Sequence, residues 1–187
     1  MKFTSTELEG VLVIEPDVFR DGRGFFLESY NQRKYTEAGV TEVFVQDNHS
    51  LSRRGTIRGL HTQRTRPQAK LIRVVRGAIF DVVVDIRRGS PTFLRWIGVE
   101  LGAENFLQCY VPAGYAHGFC VLSEMAEVEY KCSQLYDPAD ELAILWNDPE
   151  IGVKWPADEP ILSARDSLAR PLRDVMNLLP QYKGTCL

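Results

Sequence analysis

No apolar run in this 187-residue chain approaches the ~20 residues that a helix needs to cross a bilayer. The opening Met-Lys-Phe-Thr-Ser-Thr-Glu-Leu-Glu-Gly carries acids and no apolar core, so it does not read as a signal peptide. Cysteine is sparse. Cys109, Cys120, Cys132 and Cys186 include no Cys-x-x-Cys pair, so neither a zinc site nor a disulfide framework is indicated. The first three fall in β-like segments and read as small buried hydrophobes, and Cys186 as a tail residue. Nor is charge of one sign gathered in a block. With 22 basic and 25 acidic residues and a net charge of −3, the chain argues against nucleic-acid and membrane surfaces, while leaving room for one compact anion site. These absences read together as a cytoplasmic protein. The hydrophobic share of 44% and charged share of 25% are ordinary for a globular fold. The length suits a single domain over residues 1–187 with its own core.

What is present is a succession of short β-type runs. Gly10–Glu15 is a short strand, and Phe19–Gly24 is a turn-rich segment before Phe25–Tyr30. Asn31 is an N-cap for a short helix through Lys34 to Ala38, with Gly39 as its stop. From Val43 to Ser50 the chain returns to β structure, and period two places Gln46 and Asn48 on one face with Asp47 opposite. Leu71–Val75, the turn at Arg76-Gly77 and Ala78–Ile86 predict a hairpin. In its second half Phe80, Val82, Val84 and Ile86 share one face, and Asp81, Val83 and Asp85 the other. That acidic face either meets solvent or aims Asp81 at a cation such as Lys70. Further runs at Leu94–Leu101, Phe106–Val111, Tyr115–Leu122 and Val128–Ser133 complete an all-β pattern. Such spacing, with almost no helix before residue 160, predicts an antiparallel sandwich or barrel. From about 157 to 187 the character changes to a small helical coat. Ser163 caps a turn carrying Arg165 and Asp166, Pro171 fits the first helical position, and Leu172, Val175, Met176 and Leu179 recur at helical spacing.

The chemistry-bearing residues gather around Thr56–Lys70, where His61 stands between Arg58 and Lys70. An imidazole titrates near neutrality and suits a general base, and the two cations suit an anionic ligand or a developing oxyanion. On these residues alone, a loop with scattered surface charge is the plainer interpretation. Pro112-x-Gly-x-x-His117 has the shape of the second sequence motif of the cupin superfamily, in which the glycine permits a tight turn and the histidine projects into a barrel. The first cupin motif would supply His-x-His and a glutamate, but here there is only His61, so no catalytic metal is expected. Tyr130 on its strand is either core packing or a proton donor, and Tyr136 either a surface aromatic or a stacking face for a base.

Taken in order, the segments Asp21-Gly-Arg-Gly-Phe-Phe-Leu-Glu-Ser-Tyr, Gln46-Asp-Asn-His-Ser, Arg58-Gly-Leu-His, Phe80-Asp-Val-Val-Val-Asp, Gly89-Ser-Pro-Thr-Phe, Pro112-x-Gly-Tyr-Ala-His-Gly-Phe, Glu129-Tyr-Lys, Ile144-Leu-Trp-Asn-Asp-Pro and Leu162-Ser-x-x-Asp166 resemble the dTDP-4-dehydrorhamnose 3,5-epimerase family. The resemblance implies a cupin-type jelly roll that works as a homodimer with neither metal nor other cofactor, its N-terminal strands crossing to the partner subunit. It makes His61 the base, Asp166 its orienting partner, Tyr130 the acid on the opposite sugar face and Lys70 the support for the C4 oxyanion. Arg23, Phe26, Glu28, Gln46, Asn48, Arg58, His117, Glu141 and Arg165 become contacts to a dTDP-sugar, with Tyr136 stacked on thymine.

A C4 ketone acidifies the hydrogens at C3 and C5, so inversion needs a base, an enolate stabiliser and an acid across the ring. Three positions depart from the family pattern: Thr62 where an aromatic is usual, Ala69 where glycine is usual, and Leu135-Tyr136 where two aromatics are usual. Thr62 and Leu135 bear on sugar pose, and they keep a single-site 3-epimerase or a ketoisomerase open as alternatives to the double epimerase. A non-catalytic sugar-nucleotide binding module is the third alternative.

Overall fold

The computed structural model describes residues 1–184, so the expectation for Cys186 lies outside the described residues. The N-terminal part runs β1 (Lys2–Ser5), β2 (Leu12–Glu15), β3 (Val18–Asp21), β4 (Gly24–Leu27) and α1 (Gln32–Glu37). Next come β5 (Gln46–Arg53), β6 (Ile57–Gln63), β7 (Lys70–Arg76), β8 (Ala78–Asp85) and β9 (Trp96–Gly102). Then follow β10 (Gln108–Val111), β11 (Tyr115–Val121), β12 (Met125–Cys132) and β13 (Glu141–Ala143). Helices α2 (Ala164–Ser167) and α3 (Leu172–Val175) and a 3-10 turn at Met176–Leu178 follow β13.

A six-stranded sheet ordered β1-β2-β10-β7-β12-β5 faces a five-stranded sheet ordered β13-β6-β11-β8-β9. Every pairing in both sheets is antiparallel. From β5 onward nearly every connection crosses from one sheet to the other, which is the cupin-type jelly roll. β1 and β2 pair within this chain's own sheet, while β3 and β4 form a separate two-stranded ribbon.

The predicted hairpin at Gly77 does not form. β7 and β8 are consecutive but lie in opposite sheets, β7 between β10 and β12, and β8 between β11 and β9. Only Gly77 joins them, at φ +74, one residue fewer than the shortest common hairpin loop. The link therefore turns a corner of the sandwich instead of reversing the strand within one sheet.

Alternation along β8 holds. Val82 and Val84 join Ile86 against the C-terminal coat of Leu172, Val175 and Leu179, with Phe80 packed on that cluster. Ile79 and Val83 face inward with Ile72, Val74, Tyr115 and Phe119 between the sheets. Asp81 and Asp85 lie on this inner face, 1% and 0% exposed, so the solvent-facing alternative is overturned. Asp85 is held by Arg87, Ser90 and Thr92.

Local signals work as the side chains require. Asn31 caps α1 by accepting from Lys34 N–H at 3.3 Å, and Gly39 takes φ +93 beyond the helix. Ser163 caps α2 by accepting from Asp166 N–H at 3.0 Å. Pro171 is the N-cap of α3 and not its first helical residue, a shift of one position. β5 begins at Gln46, later than Val43, because its register with β12 ends at Cys132↔Gln46; Val45 N–H still donates to the Cys132 carbonyl at 2.9 Å, but the Val43 and Val45 side chains stay exposed. No helix among the described residues is long and apolar enough to cross a membrane.

Candidate active site

A cavity of about 370 Å³ opens between the sheets, lined by Gln46, Asn48, Arg58, His61, Lys70, His117, Tyr130, Tyr136, Glu141, Arg165 and Asp166. Strand β6 delivers Arg58 and His61 to it together. Strict alternation would put residues three apart on opposite faces. The β6–β11 register shifts between the pairs His117↔His61 and Phe119↔Arg58, and this bulge returns both side chains to the cavity. Gly59, at φ +140, makes the bulge feasible, since a Cβ there would meet Gly118 Cα at 2.5 Å.

His61 is held in the cavity by a carboxylate. Its Nε2 lies 2.5 Å from Asp166 Oδ1, and Asp166 Oδ2 accepts from the Ser163 hydroxyl at 2.8 Å. Burial alone would raise the Asp166 pKa. The hydrogen bond and charge of His61, then Ser163 and Arg165, outweigh it and hold the carboxyl below its ordinary value. The remaining ring nitrogen, Nδ1, faces the cavity side with Glu141 Oε1 at 3.9 Å.

Tyr130 reaches the same cavity from β12, in the facing sheet. Burial, reinforced by Cys132 and opposed by Arg58, raises its pKa and keeps the phenol protonated. Lys70 Nζ stands 5.9 Å from the centre of the Tyr130 ring. Burial lowers the pKa of this ammonium, against the pull of Cys132, Glu141 and Asp81. The cavity therefore has a basic imidazole on one wall, a phenol on the opposite wall, and a desolvated cation beside the phenol.

The polar end is equally specific. Gln46 Nε2 donates to Asn48 Oδ1 at 2.9 Å, as their shared face predicts. Arg58 Nε donates to Ser52 Oγ at 3.0 Å, leaving the rest of its guanidinium toward the cavity. His117 follows the turn at Gly114, φ +95, and its Nε2 lies 2.7 Å from Asp81 Oδ1. Asp81 thus orients His117 in preference to pairing with Lys70. Tyr136 hydroxyl donates to Glu141 Oε2 at 3.0 Å and accepts from Arg165 Nη1 at 2.9 Å, and Arg165 also forms an ion pair with Glu141.

Arg23, Phe26 and Glu28 are not brought to this cavity within one chain. Arg23, 91% exposed, pairs with Asp21 on the β3–β4 ribbon. Phe26 is 69% exposed on the same ribbon, and Glu28 binds Asn31 and Lys34. Conversely, Asp81 as the partner of His117 and Gln63 in the cavity wall were not singled out by the sequence. The only signal for Gln63 was its place two residues after His61, on the same face of a strand. Among the described residues no cluster of His, Cys, Asp and Glu is placed to hold a metal ion.

Comparison with known proteins bears on this geometry. Residues 5–174 match the family model described as dTDP-4-dehydrorhamnose 3,5-epimerase. A dTDP-4-dehydrorhamnose 3,5-epimerase from Pseudomonas aeruginosa is 52% identical over 176 residues, covering 93% of this chain and 97% of that protein. A dTDP-4-dehydrorhamnose 3-epimerase from Streptomyces niveus is 42% identical over 190 residues, covering 100% of this chain and 91% of its own. The crystal structure of dTDP-6-deoxy-D-glucose-3,5-epimerase from Legionella pneumophila, in complex with dTDP-4-keto-L-rhamnose, superimposes with a TM-score of 0.95 at 45% identity. That match covers 98% of this chain and 99% of the other.

Proposed function

The chain belongs to the dTDP-4-dehydrorhamnose 3,5-epimerase family, and on that premise we propose how its residues divide the work. The enzyme is an isomerase. It converts dTDP-4-dehydro-6-deoxy-D-glucose to dTDP-4-dehydro-β-L-rhamnose by epimerisation at C3 and C5, a step of dTDP-L-rhamnose biosynthesis.

In our reading His61 removes the proton next to the C4 ketone. Asp166 fixes the imidazole through Nε2, leaves Nδ1 for the substrate and stabilises the cation formed on proton uptake. The electrons released from the C–H bond move onto the C4 oxygen, and the Lys70 ammonium stabilises that enolate. Tyr130 returns a proton to the same carbon from the other face of the ring, which inverts the centre. Arg58 and His117 meet the pyrophosphate, with Asp81 holding the His117 ring in place. Tyr136 stacks on the base, and Gln46, Asn48, Glu141 and Arg165 complete the nucleotide-sugar contacts. The observation that carries this reading is the projection of a carboxylate-bound imidazole and a phenol from facing sheets into one cavity.

We also propose a homodimer in which the β3–β4 ribbon of one protomer brings Arg23, Phe26 and Glu28 to the cavity of its partner. The support is that these groups lie outside their own chain's cavity, on a ribbon separate from both main sheets, with Phe19, Phe25 and Phe26 exposed. We assign the enzyme to the cytoplasm, in keeping with the free thiols of Cys109, Cys120 and Cys132.

NMR of the ketosugar nucleotide incubated with enzyme in D2O tests the chemistry. Deuterium entering at both C3 and C5 is expected, and His61→Asn should lower both exchange rates by at least about 10²-fold while dTDP still binds. Wild-type exchange by His61→Asn sinks the assignment of the base. The 3-epimerase alternative draws specific support from the full-length similarity to the Streptomyces niveus protein and from Thr62. Its signature is deuterium confined to C3 after long incubation.

A further inference from the structure

Tyr136 is 43% exposed, so burial does not fix where its ring lies. Side-chain amides fix it instead. Gln46 Oε1 accepts from Tyr136 N–H at 2.8 Å. On either side of that residue the partner is Gln63: its Oε1 accepts from Asp137 N–H at 2.7 Å, and its Nε2 donates to the carbonyl of Leu135 at 3.4 Å. The same Nε2 donates to the carbonyl of Arg66 at 2.9 Å, which ties in the loop after β6. Gln63 is 4% exposed, and its amide is satisfied by main-chain groups that flank one aromatic ring.

The position of Gln63 in its strand gives this a consequence for the reaction. It lies two residues beyond His61 on β6, so both side chains leave the same face, about 7 Å apart along the strand. One rigid strand thus carries the base that works on the sugar and the amide that holds the loop of Tyr136. Gln63 pairs across to Glu141 on β13, and Glu141 accepts the Tyr136 hydroxyl, so backbone and ring tip of the platform are both referred to β6.

We propose that Gln63 is a positioning residue that sets the Tyr136 platform at a fixed reach from His61 and so fixes where the nucleobase is held. The proposal rests on the assignment of Tyr136 to base stacking. It makes Gln63 a determinant of nucleotide recognition without a substrate contact of its own.

The test is a double-mutant cycle with dTDP binding measured by calorimetry, accompanied by steady-state kinetics on the ketosugar nucleotide. Gln63→Met keeps the length of the side chain and removes all three hydrogen bonds. Gln63→Glu keeps the acceptor for Asp137 and loses both donated bonds, and it stands in should the first variant fold poorly. The expected result is a loss of dTDP affinity of about tenfold in Tyr136→Ala and of similar size in Gln63→Met, with the double variant no worse than either. KM should rise by a similar factor while kcat stays within about twofold. A purely structural role would lower kcat through the folded fraction and leave KM in place. Weakening in Tyr136→Ala beside wild-type affinity in both Gln63 variants overturns the role of Gln63 and leaves the stacking assignment standing. Unchanged affinity in Tyr136→Ala overturns the stacking assignment and this proposal with it.

Discussion

The His61 imidazole has one nitrogen committed, because Nε2 is bound to Asp166 Oδ1 at 2.5 Å. Which proton the ring can accept is therefore decided by a residue that does not itself meet the sugar. Asp166→Asn preserves the shape but presents an amide, removes the negative charge opposite the imidazolium, and favours the wrong tautomer when its NH2 faces the ring. A fall in kcat of at least about 10²-fold is expected, with a KM change of only a few fold. The same substitution has a pH signature in stability. The Asp166 pKa is lowered in the folded state, so the unfolded chain binds its proton more readily. The stabilisation is then present above the unfolded carboxyl value of about 4 and is lost as pH falls through the lowered folded value. Melting temperatures of wild type and Asp166→Asn should differ at pH 7, begin to approach each other below about pH 4 and meet only once the pH is below the lowered folded value. A gap that stays constant with pH contradicts the assigned ionisation.

At the scale of elements, the site depends on short pieces whose ends are chemically specified. α2 spans only Ala164–Ser167, and Ser163 closes its N-terminus while its hydroxyl also donates to Asp166 Oδ2. Ser163→Ala should therefore cost about 1 kcal/mol of stability as a lost cap and lower kcat without raising KM, because the carboxylate that steers His61 is less firmly held. A kcat equal to wild type in the folded variant would separate the cap from catalysis. Both caps were legible in the sequence, since an Asn or Ser one position before a helical turn satisfies its N–H groups by local geometry. So was the turn at Pro112-x-Gly114, where a positive φ needs glycine. The bulge in β6 was not. Its extra residue is defined by pairing with β11, about sixty residues away in sequence, and a local reading of alternation sets Arg58 and His61 on opposite faces. Sequence alone leaves the partner of Asp81 open for the same reason: His117 meets it through the register between β8 and β11. The predicted hairpin failed because propensity marks the strands and the turn, whereas sheet membership depends on contacts made elsewhere.

For the whole molecule, the feature that one chain leaves open is the ribbon β3–β4, with three exposed phenylalanines and an Arg23 that, among the described residues, pairs with Asp21 on the same ribbon. Isolated two-stranded ribbons are marginal in water, and exposed aromatics of this density ask for a covering surface. The main sheet ends at β5, an edge strand paired on one side only, where Leu51 is 55% exposed. The homodimer proposed above would satisfy both, in a two-fold arrangement that exchanges ribbons symmetrically. Complementation distinguishes delivery in trans from a merely decorative ribbon. Arg23→Ala and His61→Asn proteins are each expected to be severely impaired alone. After co-refolding, a mixed dimer carries one cavity with its own intact His61 and the partner's intact Arg23, and one cavity lacking both. Random association makes half the dimers mixed, so roughly a quarter of wild-type activity should return. If Arg23 served its own chain, each cavity of a mixed dimer would lack one group and no activity would return. Recovery should also vanish when Phe26→Asp is placed on the ribbon of the His61→Asn protein, because that ribbon must dock on its partner to deliver Arg23.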